Sequence, residues 1–508
     1  MKLVAILFAL PAVALADPAF VDRAPGLPVA QVYDGGWEYF VGGGVAILDC
    51  NADGRPDLFA AGGANPARLF VNTTAPGGDI AFEIGTAAPL TGVTGAWPLD
   101  VDGDGWLDLA VLRVGPNVLL KGGPGCHFSD ATAEWSFAGG DRWSTAFAAT
   151  WQPGQGWPTL AIGNYVDRNR PDGPFEACDV NELHRPKGRG FTAPKLLEPG
   201  FCALSMLISD WKRNGSPDLR ISNDRHYYVR GGYEQMFHLT PFAPYTEAEG
   251  WRKVSLWGMG IASRDITGDG FPEVMLTSMA DQLLQFNDAG VMRDAPYSLG
   301  TYATTPHLGD DGRPSTGWHA EFGDIDNDGR SDLFIAKGNV DEMPSNAMKD
   351  PNNLLMQTED GTFAEMAATA GVATTERSRG AGLVDLNADG RLDIVVMNRR
   401  APMEIWQNVT ESTGNWLEIE PRMPGSNTRA VGAWIEMRTE GGAVQSQEVT
   451  VGGGHGSGHA GPLHFGLGRA EKAEVRVIWP EGDVSQWTPL QANQKVLVWP
   501  DGPALSVE

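Results

Sequence analysis

The segment Asp100–Val111 reads "DVDGDGWLDLAV", in which acidic residues alternate with other residues, meet a glycine and then enter an apolar run. The pattern is D-x-D-x-D-G-x-x-D, with the last aspartate at the start of that run. Alternate side chains of a tight loop converge on one point, and the glycine adopts a backbone conformation that other residues resist. Clustered carboxylates repel one another unless a cation lies between them. The segment therefore predicts a metal cage on a hairpin between two strands.

The same pattern recurs along the chain. Acidic versions begin at Asp49, Asp100, Asp210, Asp265, Asp324 and Asp385, and "WQPGQGWPTLAIG", from Trp151, keeps the glycine and the strand but has no acid. Successive starting positions differ by 51, 51, 59, 55, 59 and 61 residues. Each repeat has an apolar stretch before the loop and two apolar runs after it, and several add an aromatic-x-acid segment. Four short strands at this period indicate a propeller blade and not a helical solenoid.

Seven such repeats can close a ring. Phe20 and Asp22 supply an aromatic-x-acid strand ahead of the first loop, whereas the seventh repeat ends at Asn408 without one. The N-terminal strand is therefore predicted to complete the last blade, which would leave no open sheet edge. The predicted fold class is all-β: a seven-bladed propeller over residues 17–408, followed by a small β domain over residues 409–508.

Oxygen ligands on flexible loops favour Ca²⁺ over transition metals and generally over Mg²⁺. An EF-hand is excluded, because an apolar strand and not a helix follows each loop. Five loops fit best and predict about five calcium ions. The predicted ligands are Asp49, Asn51, Asp53, Asp57, Asp100, Asp102, Asp104, Asp108, Asp265, Thr267, Asp269, Glu273, Asp324, Asp326, Asp328, Asp332, Asp385, Asn387, Asp389 and Asp393.

Two loops depart from the pattern. The loop at Asp210 has Lys212 and Asn214 at ligand positions, so a sixth ion is doubtful there, and the lysine ammonium could itself replace the cation. The loop at Trp151 is predicted to bind no ion and to be held by the packing of Trp151 and Trp157.

Composition restricts the partners and the compartment. The chain has 38 Lys and Arg against 64 Asp and Glu, a net charge of −26, which excludes nucleic acid as a partner. Residues 1–16, "MKLVAILFALPAVALA", have the pattern of a cleaved signal peptide; a membrane anchor is the alternative, but Pro11 and the short apolar run argue against it. No later stretch is apolar enough to span a membrane. A secreted or otherwise extracytoplasmic protein, periplasmic or extracellular, is therefore expected.

The four cysteines then lie in a compartment that permits disulfides. Cys178 and Cys202 are closest in sequence and are the predicted pair. His455, His459 and His464 lie close together in a Gly-rich region and could bind a metal, but such residues more often cap a turn, and no cysteine or helical ligand accompanies them.

Between Glu182 and Arg230 the local charge reverses, with nine basic residues against five acidic ones. Arginine pairs with carboxylate or sulfate and tyrosine can stack on rings, so this region could bind an anionic glycan or an acidic peptide. The candidate partner-binding residues are Arg225, His226, Tyr227, Tyr228 and Arg230. The favoured alternative is that the basic side chains pair internally with acids of neighbouring blades.

The loops resemble the calcium loops of FG-GAP/VCBS repeats, known from the integrin α-subunit propeller. "GNYVDR", "SNDRHYY", "GMGIA" and "HFGLG" resemble the CRTAC (cartilage acidic protein 1-like) family, whose members end in an ASPIC/UnbV domain. Here the stretch from Gly414 to about Gly482 is similar to that domain. The resemblance implies a secreted or periplasmic calcium-binding protein and does not specify its ligand.

Two classes of function follow. The first is a binding, scaffolding or adhesion-type protein in which calcium stiffens the blades and loops hold a protein or an anionic glycan. The alternative is a carbohydrate lyase or hydrolase with acids facing the central channel. The first is preferred, because most acids of the repeats are already assigned to metal and no nucleophile elbow, zinc-protease motif or phosphate-binding loop is present. No catalytic residue is assigned.

Overall fold

The computed structural model describes residues 17–87, 89–170, 176–224, 231–302, 304–309, 312–502 and 505–507. The predicted signal peptide, residues 1–16, lies outside them. The regular secondary structure of the described residues is almost entirely short β-strands. Short helical turns occur at Ala24–Gly26, Trp37–Tyr39, Glu247–Glu249, Tyr297–Leu299 and Ala367–Ala370.

The repeats form four-stranded antiparallel units. Their strands are β1 (Phe20–Asp22), β2 (Val45–Leu48), β3 (Asp57–Ala60), β4 (Arg68–Asn72), β5 (Phe82–Ile84), β6 (Val93–Leu99), β7 (Asp108–Gly115), β8 (Val118–Gly123), β9 (His127–Asp130), β10 (Arg142–Thr150), β11 (Thr159–Asn164), β12 (Asn181–His184), β13 (Lys195–Leu197), β14 (Ala203–Ser209), β15 (Asp218–Asn223), β16 (Gln235–Leu239), β17 (Phe242–Pro244), β18 (Gly258–Arg264), β19 (Glu273–Ser278), β20 (Leu283–Asn287), β21 (Met292–Asp294), β22 (Gly317–Gly323), β23 (Asp332–Lys337), β24 (Asn353–Gln357), β25 (Phe363–Glu365), β26 (Arg377–Val384), β27 (Asp393–Arg399) and β28 (Glu404–Asn408).

The units follow one another as a ring. Within the described residues they are β2–β5, β6–β9, β10–β13, β14–β17, β18–β21, β22–β25 and β26–β28 with β1. The first strand of each unit packs against the first strand of the next, and β26 packs against β2, which closes the ring. Val384 and Leu386 of the last unit share a core with Phe59 and Phe70 of the first. The predicted all-β propeller class is confirmed.

The N-terminal strand completes the last unit. β1 pairs antiparallel with β28, with Phe20 opposite Asn408 and Asp22 opposite Trp406. This pairing confirms the prediction from the aromatic-x-acid pattern, and it covers an edge that would otherwise be open.

The remaining residues form two further sheets. Their strands are β29 (Asn415–Pro421), β30 (Trp434–Arg438), β31 (Val444–Glu448), β33 (Leu463–Gly468), β34 (Lys472–Ile478), β35 (Thr488–Gln491), β36 (Gln494–Val498) and β37 (Leu505–Val507), and the short strand β32 (Gly458–Ala460) belongs to neither sheet. One sheet has the order β33-β29-β36-β37 and the other β31-β30-β34-β35. Leu417, Ile435, Phe465 and Val477 are fully buried in the core that the two sheets share.

The Gly-rich segment Val451–Gly461 leaves these sheets and lies at the axis of the ring. β32 pairs parallel with β2, the first strand of the first unit. The segment also forms backbone bridges or hydrogen bonds with β6, β10, β14 and β18. The His455 N–H donates to Nδ1 of His319 on β22, and the Ser457 side chain lies beside Gly380 of β26. The segment therefore contacts the innermost strand of every unit and fills the channel.

Close backbone contact makes this arrangement possible. A Cβ atom built on Gly44 would lie 1.8 Å from the Gly456 carbonyl oxygen, and one on Gly95 would lie 2.2 Å from the same atom. One on Gly260 would lie 2.3 Å from the Trp318 carbonyl oxygen. Glycine is required at these inner-strand positions because no side chain fits between the backbones.

Two disulfides join neighbouring units. Cys50, in the first loop, bonds to Cys126 of the second unit, and Cys178, in the third, bonds to Cys202, which precedes β14 of the fourth. The predicted Cys178–Cys202 pair is confirmed.

The channel contact predicts the effect of a single methyl group. Gly44→Ala should lower the free energy of unfolding by about 1–3 kcal/mol, because the added carbon meets backbone and not a movable side chain. Gly36→Ala is the matched control, since a Cβ there meets nothing within 4 Å. Urea unfolding of both variants measures the difference, and equal stability would contradict the close contact at the axis.

Candidate calcium loops

The six acidic loops share one backbone geometry. In each, the first aspartate accepts a hydrogen bond from the N–H of the glycine five residues later, at 2.7–2.9 Å. In the loop at Asp324, Oδ2 accepts from Gly329 at 2.7 Å and Oδ1 accepts from Asp328 at 3.0 Å. The Asp328 carboxylate in turn accepts from the Arg330 N–H at 2.8 Å. These bonds fold the loop so that its alternate side chains meet.

The fourth position of each loop is also left-handed, which the sequence did not predict. Its φ is +61° at Ala52, +54° at Arg213, +60° at Asn327 and +56° at Ala388, and the other two acidic loops have glycine there. This conformation costs a non-glycine residue about 1 kcal/mol or more, so the hydrogen bonds of the loop must stabilise the left-handed backbone.

The last acid of five loops lies on the second strand of its unit and joins the loop to the third strand. One oxygen of Asp332 accepts from the Ile325 N–H at 2.8 Å and the other from the Gln357 N–H at 2.8 Å. The equivalent bonds are made by Asp57, Asp108, Glu273 and Asp393. These acids are fully buried on the second strand of each unit.

The side-chain oxygens fit a cation. One ligand atom from each of Asp100, Asp102 and Asp108 lies within 4.8 Å of the others, and the same holds for Asp324, Asp326 and Asp332. At the third loop position, buried Oδ1 atoms of Asp102, Asp326 and Asn387 have no hydrogen-bond partner among the described residues. Carboxylate and amide oxygens that converge in this way are the ligands that Ca²⁺ prefers.

The electrostatics of these loops point the same way. Burial, with a smaller contribution from neighbouring carboxylates, raises the pKa of Asp108, Glu273 and Asp385 to about 8. Burial and the charges of Asp328 and Asp326 hold the pKa of Asp324 well above its usual range. Burial and mutual repulsion thus disfavour the ionised form of these carboxylates.

The predicted ligand sets are brought together to different degrees. The first and fifth loops have the same turn hydrogen bonds as the loop at Asp324. They are made by Asp49, Asn51 and Asp53 in the first loop and by Asp265 and Asp269 in the fifth. In the second loop, Lys121 from β8 pairs with Asp102 and, at 2.8 Å, with Asp104. Asp57 also lies beside the sulfurs of Cys50 and Cys126, but these are joined in the disulfide.

The loop at Asp210 uses side chains in place of a cation. Asp218 accepts hydrogen bonds from Trp211 Nε1 at 2.8 Å and from the Tyr245 hydroxyl at 2.5 Å. Lys212 forms no ion pair among the described residues; its Nζ lies 4.8 Å from the Trp211 ring and 4.7 Å from the Tyr245 ring. The Lys212 ammonium thus makes cation–π contacts with these two rings, and its replacement of the ion stays a prediction.

The loop at Trp151 is closed by amides and a guanidinium. The Thr159 hydroxyl lies 3.1 Å from both Gln152 Oε1 and Gln155 Oε1, and Arg185 donates to Gln152 and, at 2.6 Å, to the Leu239 carbonyl. Trp151 and Trp157 are buried, as expected from the sequence. The role of Arg185 was not predicted, because this residue follows β12 and lies outside the loop itself.

The C-terminal sheets lie on the face that carries these loops. Thr428 donates to Asp100 at 2.5 Å, His464 Nε2 lies 2.7 Å from Asn327 Oδ1, and the Asp210 N–H donates to Glu448 at 2.8 Å. Arg213 pairs with Glu436 at 2.6 Å and lies over the Trp434 ring. The acidic loops thus form much of the contact surface between the ring and the C-terminal sheets.

The three histidines make separate contacts. His455 is fully buried, accepts from the Gly42 N–H at 3.0 Å and lies beside Trp318, and burial lowers its pKa to about 3. His464 contacts Asn327, and His459 faces Glu321. They serve packing and hydrogen bonding at different places.

The candidate partner-binding residues Arg225, His226, Tyr227, Tyr228 and Arg230 lie outside the described residues. Described members of the same basic region make internal contacts. Besides Arg185 and Arg213, Arg220 is buried, donates to Gln285 and lies over the Trp251 ring. These side chains are held internally, but their partners are amide and carbonyl oxygens and, for Arg213, Glu436 of the C-terminal sheets, and not acids of neighbouring blades as the alternative expected.

Sequence comparison defines the class. The profile of the FG-GAP-like repeat matches residues 49–111 and 324–396, and that of ASPIC and UnbV matches residues 423–503. Two parts of the propeller thus match the FG-GAP-like repeat, and the residues after the propeller match ASPIC and UnbV.

Its curated relatives carry one name. The chain is 26% identical over 163 residues to cartilage acidic protein 1 of Mus musculus and 25% identical over 163 residues to that of Homo sapiens. The match covers 31% of this chain and 25% and 24% of those proteins, so the chain spans about a quarter of the length of its curated relatives. The resemblance found in the sequence is confirmed.

Solved structures are similar in fold alone. BBS1N, crystallised in complex with ARL6DN, has a TM-score of 0.46 at 9% identity, covering 78% of this chain and 98% of that one. A Trichoderma reesei member of carbohydrate-active enzyme family AA12 has a TM-score of 0.34 at 11% identity, covering 78% of this chain and 100% of that one.

In the described part of this chain, no helix has the length and apolarity needed to cross a bilayer.

The contacts of the loop at Trp151 predict the effect of replacing Arg185. Arg185→Met should lower the free energy of unfolding by about 1–3 kcal/mol, because the Gln152 carbonyl and the Leu239 carbonyl lose a charged donor. Arg189→Met, at an exposed position four residues on, is the control. Thermal unfolding should show the same loss with calcium and with EGTA; a loss seen only with calcium would mean that the loop binds the ion.

Proposed function

We propose that the protein is an extracytoplasmic calcium-binding propeller that acts as a binding or adhesion-type protein. The observation that carries the proposal is the convergence of buried carboxylates, with unpartnered oxygens at Asp102, Asp326 and Asn387. The relationship to cartilage acidic protein 1 and the pattern of residues 1–16 support an extracytoplasmic location.

Calcium would supply the positive charge that offsets this buried repulsion. The loop residues would hold it through the first, third, fifth and ninth positions, as in Asp324, Asp326, Asp328 and Asp332. Each ion would fix the hairpin between the first two strands of its unit. About five such sites are proposed, at the loops beginning at Asp49, Asp100, Asp265, Asp324 and Asp385.

These loops also support the C-terminal sheets, so calcium should strengthen that contact. The loop residues Asp100 and Asn327 each contact a residue of the C-terminal region, Thr428 and His464 respectively. A rigid face formed by both parts is the proposed platform for a protein or anionic glycan partner. The enzyme alternative needs acids in an open channel, and the Gly-rich segment occupies the channel instead.

Removal of calcium should lower the melting temperature by several degrees. A ligand at 100 times its Kd stabilises a fold by about 2.7 kcal/mol per site. Scanning calorimetry in excess Ca²⁺ and in EGTA measures the difference. Identical melting curves would show that the loops hold no stabilising ion.

One loop can be tested alone. Asp326→Asn should reduce the calcium stoichiometry by one in isothermal titration calorimetry and reduce the calcium-dependent rise in melting temperature. Glu359→Gln, an exposed acid in the same unit, should leave both unchanged. Equal stoichiometry in the Asp326 variant would remove this loop from the set of calcium sites.

A capture experiment tests whether the protein binds a partner and whether that binding depends on calcium. An immobilised sample of the full chain should retain a protein or an anionic glycan from a defined library in calcium, and less of it in EGTA. Retention that is insensitive to EGTA would leave a binding protein whose surface does not depend on calcium.

A further inference from the structure

The Cys50–Cys126 disulfide lies against the last acid of the first loop. The sulfur atoms of Cys50 and Cys126 lie 2.9 Å and 3.6 Å from Oδ2 of Asp57. The same oxygen accepts a hydrogen bond from the Cys50 N–H at 2.9 Å, and Oδ1 accepts from the Asn72 N–H at 2.8 Å. Both cysteines and Asp57 are buried, so the disulfide packs directly on the Asp57 carboxylate.

Cys50 occupies the second position of its loop, which four other acidic loops fill with an aliphatic residue. In all five loops the N–H of this position donates to the last acid. The aliphatic side chains pack in the hydrophobic cores of the ring; they are Val101, Ile266, Ile325 and Leu386. In the first loop a covalent bond to the second unit takes the place of this packing.

Cleavage of this bond would disturb the Asp57 carboxylate. Bonded sulfur atoms are about 2 Å apart, and two thiols need a larger separation. Cys50 and Cys126 are only 3% and 4% exposed, so their sulfur atoms can separate only by displacing neighbours, of which Asp57 is one. Each thiol S–H is also a donor that can compete with a cation for the lone pairs of Asp57 Oδ2.

We propose that the Cys50–Cys126 disulfide positions Asp57 for calcium, so that calcium binding by the first loop and the oxidation state of this disulfide are coupled. This inference rests on the proposed calcium sites. Contacts that orient a metal ligand change metal affinity about 10–100-fold, so reduction should weaken calcium binding at this loop at least about tenfold. Coupling is reciprocal, so calcium should oppose reduction of this disulfide by the same factor.

A redox titration of the full chain with dithiothreitol tests the coupling. The reductant supplies two electrons and two protons, the S–S bond breaks to give two thiols, and dithiothreitol closes to its cyclic disulfide. The chain is equilibrated in mixtures of reduced and oxidised dithiothreitol, in calcium and in EGTA. Free thiols are then alkylated, and the peptides of each cysteine pair are quantified by mass spectrometry.

Calcium should shift the reduction equilibrium of Cys50–Cys126 at least about tenfold toward the disulfide. The Cys178–Cys202 disulfide is the internal reference, because the third and fourth units that it joins carry none of the five proposed calcium loops. Its equilibrium should shift much less. An equal shift of both pairs would reflect stabilisation of the whole fold and would overturn the proposal.

Two variants separate the first loop from the others. Asp53→Asn removes a ligand of the first loop and should abolish the shift at Cys50–Cys126. Asp328→Asn removes the ligand at the same position of the loop at Asp324 and should leave that shift in place. In both loops the acid accepts a hydrogen bond from the N–H two residues later, which asparagine can also accept. A shift that persists in the Asp53 variant would contradict the coupling.

Calcium titration of the oxidised chain distinguishes the two ways in which the inference can fail. Calcium binding without a shift at Cys50–Cys126 would overturn the coupling and leave the proposed function intact. Absence of calcium binding would overturn the proposed function and the coupling with it.

Discussion

Backbone-to-backbone contact at the ring axis is the constraint on which this architecture depends. Gly44 and Gly95 lie so close to Gly456 that a methyl group on either would overlap the Gly456 carbonyl oxygen. This contact lets one chain segment hydrogen-bond to the inner strands of the ring. The C-terminal sheets are thereby fixed over one face, where they contact the acidic loops.

The loops show how a family of similar turns can be closed by different chemistry. Where carboxylates converge, burial and mutual repulsion oppose ionisation, and the proposed calcium ion would offset that repulsion. At Asp218 the conflict is removed by hydrogen bonds from Trp211 and Tyr245, and at Thr159 by amides and Arg185. The backbone frame is kept in each case, so the turn does not itself require an ion.

Local repetition made much of this fold predictable. The acidic loops mark the hairpin between the first two strands of each unit, and the aromatic-x-acid pattern at Phe20 located the strand that completes the last unit. The Cys178–Cys202 pair followed from proximity in sequence. The channel segment was not predicted, because its partners are backbone atoms of strands hundreds of residues away. The contact of Arg185 with the loop at Trp151 was not predicted either, because nothing in the loop sequence indicates it. The left-handed fourth position was missed because alanine and asparagine occupy it as well as glycine.

The pairing of the first strand with the last unit has a consequence for the order of events during synthesis. Ala19 and Thr410, which share a hydrogen bond beside that pairing, are 391 residues apart. At about 5–20 residues per second, the ribosome needs roughly 20–80 seconds to make the chain between them. Throughout that interval the first strand has no partner, because the last blade has not yet been made, and the axis has no segment to fill it. The nascent chain therefore carries an unprotected sheet edge until nearly all of its blades have been made, a period in which a chaperone, or delayed folding until after export, would have most effect.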